Sequence, residues 1–402
     1  MTKPLYYEDA LLFSFTANVV SVMPDGEDSL IELTQSAFYP GGGGQPCDIG
    51  MLNSARVSEV FLSDARQLHR VQGTPFKTGD MVSGVLDGEM RLENMRQHSG
   101  QHLLSNAVYR VLGGHTIGLH TGHDVNSIDI KGMDAKAFTP DAIREIERLA
   151  QRMTLEDLPV TTLLPRTQAE IDALPLRKPT ALMENLRIVC MGEIEAVACG
   201  GVHVPRTGMI GPIRIVSVQP HAKDARIFFV CGERAYRMDR KNQELLDDVA
   251  RLTSSAGDAL IGYLNSQTDK LTQERARAIE LEAQLLPLYV KRYDKQRLPI
   301  GPGQWALALL PAVSNNFARQ LALQLAAQEA GAALIGVADE DGLLITLATH
   351  KGFLHAGNAL KALAGALGGR GGGGSDIAFG RLPMCDETLL RTALQQSLTN
   401  EE

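Results

Sequence analysis

Two short stretches constrain this chain more than anything else in it. One is Gln97-His98-Ser99-Gly100-Gln101-His102, and the other, far downstream, is Cys199-Gly200-Gly201-Val202-His203. Each sets two nitrogen or sulfur donors four positions apart. Any fold for the chain has to account for where these pairs end up.

The first pair lies in a helical pattern. From Arg91 to Leu112 there is no Pro, and Gly100 is the one Gly. Leu92, Met95, Leu103, Leu104, Val108 and Val111 recur at helical intervals. On a helix, positions i and i+4 share a face one turn apart, so His98 and His102 can grip one ion from one rigid element. The intervening Ser-Gly-Gln lacks the Glu of a metalloprotease helix. The plain alternative is two ordinary histidines on a helix. The second pair follows a strand-like run of Val189, Ile194, Ala196 and Val197, and Gly200-Gly201 permits a tight turn that puts Cys199 and His203 on one side. Its plain alternative is a buried thiol beside a surface imidazole. Together the pairs offer three imidazoles and one thiol, a complete tetrahedral set for Zn2+.

Arg96–Ser105 and the Cys199–Val204 stretch resemble the editing domain of alanyl-tRNA synthetase and its free-standing AlaX relatives. Three further stretches agree: Ala37-Phe38-Tyr39-Pro40-Gly41-Gly42-Gly43-Gly44-Gln45-Pro46, Thr116–Gly122 followed by Ser127-Ile128-Asp129, and Thr207–Ile215. The resemblance covers roughly residues 1–235. It implies His98, His102, Cys199 and His203 as metal ligands, and a substrate pocket that includes Ser36, Gln45 and His120. Relatives usually carry Thr where this chain has Ser36, so the hydroxyl is kept and the methyl lost. His115 and His123 are read as structural or substrate-facing.

The chain is 402 residues long, enough for two or three domains. The fold class expected is α+β. Residues 1–90 read as short strands and hairpins, a β-barrel-like unit. Residues 91–235 read as the α+β editing domain with the zinc site; Thr139-Pro140 caps and opens a second helix there, and residues 159–179 read as a polar connection. Residues 236–297 carry Leu264, Leu271, Ala278 and Leu285 at sevenfold spacing, a helical or coiled-coil linker with Gly257 and Gly262 as candidate breaks. It serves either as an intramolecular spacer or as a dimer contact. Residues 298–402 read as a compact α/β domain resembling the C-terminal domain of alanyl-tRNA synthetase. Its run Gly368–Asp376 is either a phosphate cradle with Arg370 beside it or a linker.

Five Cys, an odd and sparse number, argue for a reducing compartment. No basic, apolar leader opens the chain, and no apolar run approaches the ~20 residues that span a bilayer. The expectation is a cytoplasmic protein with no membrane partner. The function expected is trans-editing: zinc-dependent hydrolysis of the ester in Ser-tRNA(Ala) or Gly-tRNA(Ala), without aminoacylation, since no ATP-binding domain precedes residue 1. The partners are tRNA(Ala) and a second copy, through the linker and C-terminal domain. No general base is assigned; Glu193 and Glu195 lie nearby in sequence. The chain is net −8, and residues 298–402 hold 6 Lys and Arg against 9 Asp and Glu. Phosphate contacts dominate nucleic-acid affinity, so two rivals stand: a zinc hydrolase of a non-RNA ester or amide, and a non-catalytic zinc-stabilised tRNA-binding or dimerisation module.

Overall fold

A computed structural model describes residues 2–122, 124–174, 176–177, 179–183, 186–301, 303–328 and 330–399. The chain divides into two compact units, Met1–Asp248 and Val249–Glu402. All five cysteines are free. Among the described residues, no helix is long and apolar enough to cross a membrane.

The first unit opens with a closed six-stranded barrel. Its strand order is Ser14–Asp25, Asp28–Leu33, Arg66–Val71, Ala55–Ser63, Gly50–Leu52 and Met81–Leu86, the last pairing back on the first. Strict alternation drives closure: Met81–Leu86 runs exposed, buried, exposed, buried along its length. Phe15, Val19, Ile31, Leu33, Phe38, Leu52, Val60 and Val82 fill the interior. Each such side chain contributes about 1.5–3 kcal/mol when fully buried.

Directly after the barrel, Asp87 accepts a hydrogen bond from Met90 N and starts the helix Gly88–Leu112. Gly113, with φ 74°, ends it. This helix lies against an antiparallel sheet ordered Ile213–His221, Asp224–Cys231, Asn126–Lys131, His115–His120. It comes very close. A Cβ on Gly100 would sit 2.3 Å from Cys231 Sγ, so only Gly fits between the two donors of the first pair. Pro140–Leu155, capped by Thr139 with Pro140 at its first position, covers the same core.

The expected polar connection of residues 159–179 holds regular structure instead. Val160–Leu163 joins a second antiparallel sheet with Ile188–Met191 and Glu195–Ala198, and Thr167 caps a short helix, Gln168–Asp172. Pairing with Ile188–Met191 supplies the ladder hydrogen bonds that a polar sequence alone did not announce. Ile194, expected in the strand, lies in the turn before it.

The second unit begins at Val249, inside the helix Gly232–Thr253, and continues into the long helix Asp258–Asp294. The break falls at Ser254–Gly257, where Ser254 and Gly257 both have positive φ; Gly262 stays inside the helix. Leu264, Leu271 and Leu285 on the long helix are exposed. A six-stranded sheet follows, ordered Leu298–Ile300, Gly303–Leu310, Gly331–Asp339, Gly342–Thr349, Ile377–Leu382, Arg370–Gly373. Helices Ala356–Leu367 and Glu387–Thr399 back one face, and Asn315–Ala326 the other. Being buried on both sides, Gly331–Asp339 is an almost unbroken apolar run.

The glycine run is neither loop nor linker. Arg370–Gly373 is an edge strand paired with Ile377–Leu382. The helix Ala356–Leu367 packs so closely that a Cβ on Gly371 would lie 2.8 Å from Leu360, and one on Gly357 would lie 2.3 Å from the Gly373 carbonyl. Gly371 and Gly357 are the positions that admit this approach.

Candidate metal centre

The helix Gly88–Leu112 and the turn after Glu195–Ala198 bring His98, His102, Cys199 and His203 together. One donor atom from each lies within 4.8 Å of all the others. The three imidazoles are almost fully buried and Cys199 is half-buried. Their rings form a tight triangle, with centroids 4.7 to 5.1 Å apart.

The ring tautomers follow from the surroundings. Gln45 Oε1 accepts a hydrogen bond from Val202 N at 2.9 Å, so that atom is the amide oxygen. His98 Nδ1 lies 2.8 Å from the same oxygen and must therefore carry the proton. Its Nε2 is left with a lone pair, 3.2 Å from Cys199 Sγ. His203 Nδ1 is 3.3 Å from Ser99 Oγ, which also accepts from Val204 N, and His203 Nε2 is buried with no hydrogen-bond partner among the described residues. Burial pushes His98 down to about 4, and burial aided by the neighbouring imidazoles holds His203 well below its ordinary value. Both rings are neutral at pH 7, the form that ligates. Burial pushes the Cys199 thiol up, against the Gly201 N–H and the Arg187 charge, which pull it down.

The donor set fits a tetrahedral ion. Metal–N of about 2.0 Å and metal–S of about 2.3 Å place ligand atoms roughly 3.3–3.7 Å apart. An orphaned imidazole nitrogen, a second imidazole fixed as the ligating tautomer and a nearby thiol are what such an ion needs. Closing the cluster takes shifts of an ångström or less.

Three supports hold the donors in place. The first is the loop Tyr39–Asp48 out of the barrel, which presents Gln45. Asp48 closes it: its carboxylate accepts from Tyr39 N, and its own N–H donates to Tyr39 O at 3.0 Å. Asp48 is fully buried against Arg91 on the ligand helix, whose Nε donates to both carboxylate oxygens at 3.0 Å. Arg91 also donates to Ala10 O and Ala37 O. The second is Gln97, beside His98. Its side chain spans Cys231 N and O at 3.0 and 2.7 Å, tying the helix to the sheet. The third is Gly201, whose Cβ would fall 2.3 Å from His98 Cε1; the turn must be glycine to lie on the ring.

The other expected residues are placed differently. Ser36 is fully buried, and its hydroxyl lies 2.8 Å from His69 Nε2 and accepts from Phe38 N at 3.1 Å, inside the barrel. His120 is exposed and lies 3.1 Å from Asp129, which is also gripped by Arg226. That grip holds Asp129 down to about 2. His115 is exposed against Tyr109, and His123 lies outside the described residues. Arg370 is exposed at the start of its edge strand. Glu195 is spent elsewhere: it is buried, 3.2 Å from Arg177, and accepts from Asn106. Glu193 is exposed in the turn. The partners Arg91 and Asp48 went unnoticed in the sequence, where neither carries a motif of its own.

Residues 186–243 match the family described as the threonyl and alanyl tRNA synthetase second additional domain. Alanine–tRNA ligases from Pyrococcus abyssi and Thermococcus kodakarensis are 31% and 32% identical to this chain, each over 95% of it and 42% of the ligase. The ligase of Methanoculleus marisnigri is 32% identical over 98% of the chain and 43% of the ligase. The chain thus spans about two-fifths of the length of these relatives. The C-Ala domain of alanyl-tRNA synthetase from Aquifex aeolicus, a solved structure, matches 26% of this chain and 97% of that one at 19% identity and a TM-score of 0.24. Over nearly its whole length, this chain is an AlaX-like relative of alanyl-tRNA synthetase.

Proposed function

We propose that this chain is a zinc-dependent deacylase of mischarged tRNA(Ala), removing Ser or Gly from the 3′ end. The observation that carries the reading is the convergence of His98, His102, Cys199 and His203, from two distant stretches, in a chain that parallels alanine–tRNA ligases over 95% of its length. Zinc in this donor set would supply Lewis acidity toward the ester or its attacking water. The chain's own groups do the positioning. Gln45 holds His98 as the ligating tautomer, and its Nε2, buried with no partner among the described residues, is left for a polar group of the substrate. The half-buried Cys199 marks the open side. The family resemblance adds Ser36 and His120 to the pocket, Ser36 from within the barrel, where its hydroxyl meets His69. Among the described residues no carboxylate joins the cluster, which favours attack by water without a carboxylate base.

In this reading residues 1–90 and 91–235 form the hydrolytic part. Residues 236–297 form a linker whose exposed Leu264, Leu271 and Leu285 suit a homodimer seam. Residues 298–402, with Arg370, face the tRNA in the cytoplasm. The net charge of −8 favours a second reading, a zinc hydrolase of a non-RNA ester or amide.

Deacylation of Ser-, Gly- and Ala-tRNA(Ala) decides between them. Wild type should strip the mischarged species and spare Ala-tRNA(Ala), and His98→Ala should abolish this. A zinc-loaded wild type inert on all of them would sink the assignment.

A further inference from the structure

Arg187 stands beside the metal centre and does not belong to the ligand set. It precedes the strand Ile188–Met191 and is partly buried. Its guanidinium carbon lies 3.5 Å from the ring centroid of Tyr7, stacked on that face. Nη1 donates to Gly201 O at 3.2 Å, and Nη2 to Thr162 Oγ1 at 3.4 Å. The other side of Gly201 rests on the His98 ring. Tyr7 completes the clamp by donating from its hydroxyl to Gly200 O at 2.9 Å.

Among the described residues, the charge of this group has no carboxylate partner; its partners are a carbonyl, a hydroxyl and a ring. Several other partly or fully buried arginines of this unit have carboxylates: Arg91 has Asp48, Arg177 has Glu195, Arg226 has Asp129 and Arg234 has Glu93, whereas Arg96 donates to the Met209 carbonyl. A guanidinium has five N–H donors, of which two are used here. A cation removed from much of its water, with donors to spare and no anion, is built to receive one.

We propose that Arg187 is an oxyanion anchor of the active site and takes a backbone phosphate of the 3′-terminal nucleotides of the acylated strand. The inference rests on the deacylase reading. An aminoacyl ester has no carboxylate, and its amino group is positive, so the substrate's negative charges are its phosphodiesters. The other possible oxyanion is the carboxylate of the released amino acid, which exists only after the reaction. Stacking on Tyr7 fixes the guanidinium plane and leaves its edge for a two-point contact with a phosphate.

The test is equilibrium binding by the zinc-loaded full chain across a salt series. The probes are a 3′-seryl-amide of adenosine without phosphate, the same amide on a CCA trinucleotide, and free serine. For the trinucleotide, Arg187→Gln should lose about tenfold in affinity. The slope of log K against log salt should fall by about 0.7, the value for one phosphate on a single strand. Adenosine amide binding and zinc content should stay as in wild type, and Arg187→Lys should keep the slope. Equal loss for both amides, or loss of zinc, would mean that Arg187 only holds the Gly200-Gly201 turn, and would overturn the proposal. Loss confined to free serine would overturn it in favour of the product carboxylate. A wild type that deacylates Ser-tRNA(Ala) while Arg187→Gln keeps its slope overturns this inference alone. A wild type that binds neither amide and deacylates nothing overturns the deacylase reading and the anchor with it.

Discussion

Removing the side-chain amide of Gln45 separates the two tasks of one oxygen atom. In wild type, Gln45 Oε1 receives His98 Nδ1–H at 2.8 Å and Val202 N–H at 2.9 Å. In Gln45→Ala both donors are stranded in a buried site, each at a cost of about 1–3 kcal/mol. The Val202 loss is the same with or without metal, so it appears as lower stability of the apo chain. The His98 loss differs. Without an acceptor at Nδ1, the proton is no longer held away from Nε2, and the ring must give up that freedom when it ligates. Partners of this kind set metal affinity by 10- to 100-fold, about 1.4–2.8 kcal/mol. Gln45→Glu keeps an oxygen acceptor for both donors and should hold zinc within a few-fold of wild type. Competition against a chromophoric chelator reads the affinity, and urea denaturation of the apo forms reads the stability. A folded Gln45→Ala that binds zinc within twofold of wild type would refute the tautomer argument.

Other expectations follow from single contacts. His69 is buried and neutral, held down to about 4 by desolvation, against an ordinary value of 6.5. The barrel's stability from this group is full above pH ~6.5 and falls by about 1.4 kcal/mol per pH unit toward pH 4, about 3 kcal/mol in all. Urea midpoints at pH 7 and 5 should show a drop in wild type that His69→Gln lacks by about 2 kcal/mol; equal drops would exclude His69 as the cause. Gly100→Ala drives a methyl into Cys231 Sγ and should cost about 1–3 kcal/mol, much of it recovered in the double variant with Cys231→Ala. Denaturation midpoints that leave Gly100→Ala equal to wild type would mean the helix can shift freely there. Asp48→Ala strands the fully buried Arg91 and should cost about 3–5 kcal/mol. A loss under about 1 kcal/mol, measured the same way, would show that water reaches the pair.

What could be read before the fold was known was mostly local. The i,i+4 imidazoles and the Thr139-Pro140 start each depend on neighbours within a turn, so their spacing carries them. What went unread depends on approach between distant segments. Gln45 meets His98 across 53 positions, and Arg91 meets Asp48 across 43. A Gln in a glycine loop and an Arg at a helix start are ordinary residues until the barrel closes and sets them together. The run Arg370–Gly373 misled for the same reason. The glycines that follow Arg370 suggest a loop, yet a helix lies where a side chain on Gly371 would be, and the backbone pairs as a strand. Ser36 shows the converse: its neighbours suggested a pocket, and the buried His69 from another strand claims its hydroxyl.

The way the donors are held bears on what a metal would do here. In small zinc domains the ion supplies the folding energy, and the apo chain is unfolded. In this chain the ligand helix has many protein partners of its own. Gln97 bonds it to the strand ending at Cys231, Arg91 bonds it to the barrel loop, and Met95, Leu103, Leu104 and Val108 bury it in a large apolar core. The turn carrying Cys199 and His203 is held by Tyr7 and Arg187 from outside and by Gln45 from within. Every one of these contacts is protein to protein. A metal bound there adds stability by mass action, about 2.7 kcal/mol at a hundredfold excess over Kd. A preformed cage of this kind also keeps the donor geometry constant as ligands exchange. That constancy is what a centre needs if its half-buried Cys199 side is to admit a substrate and release a product.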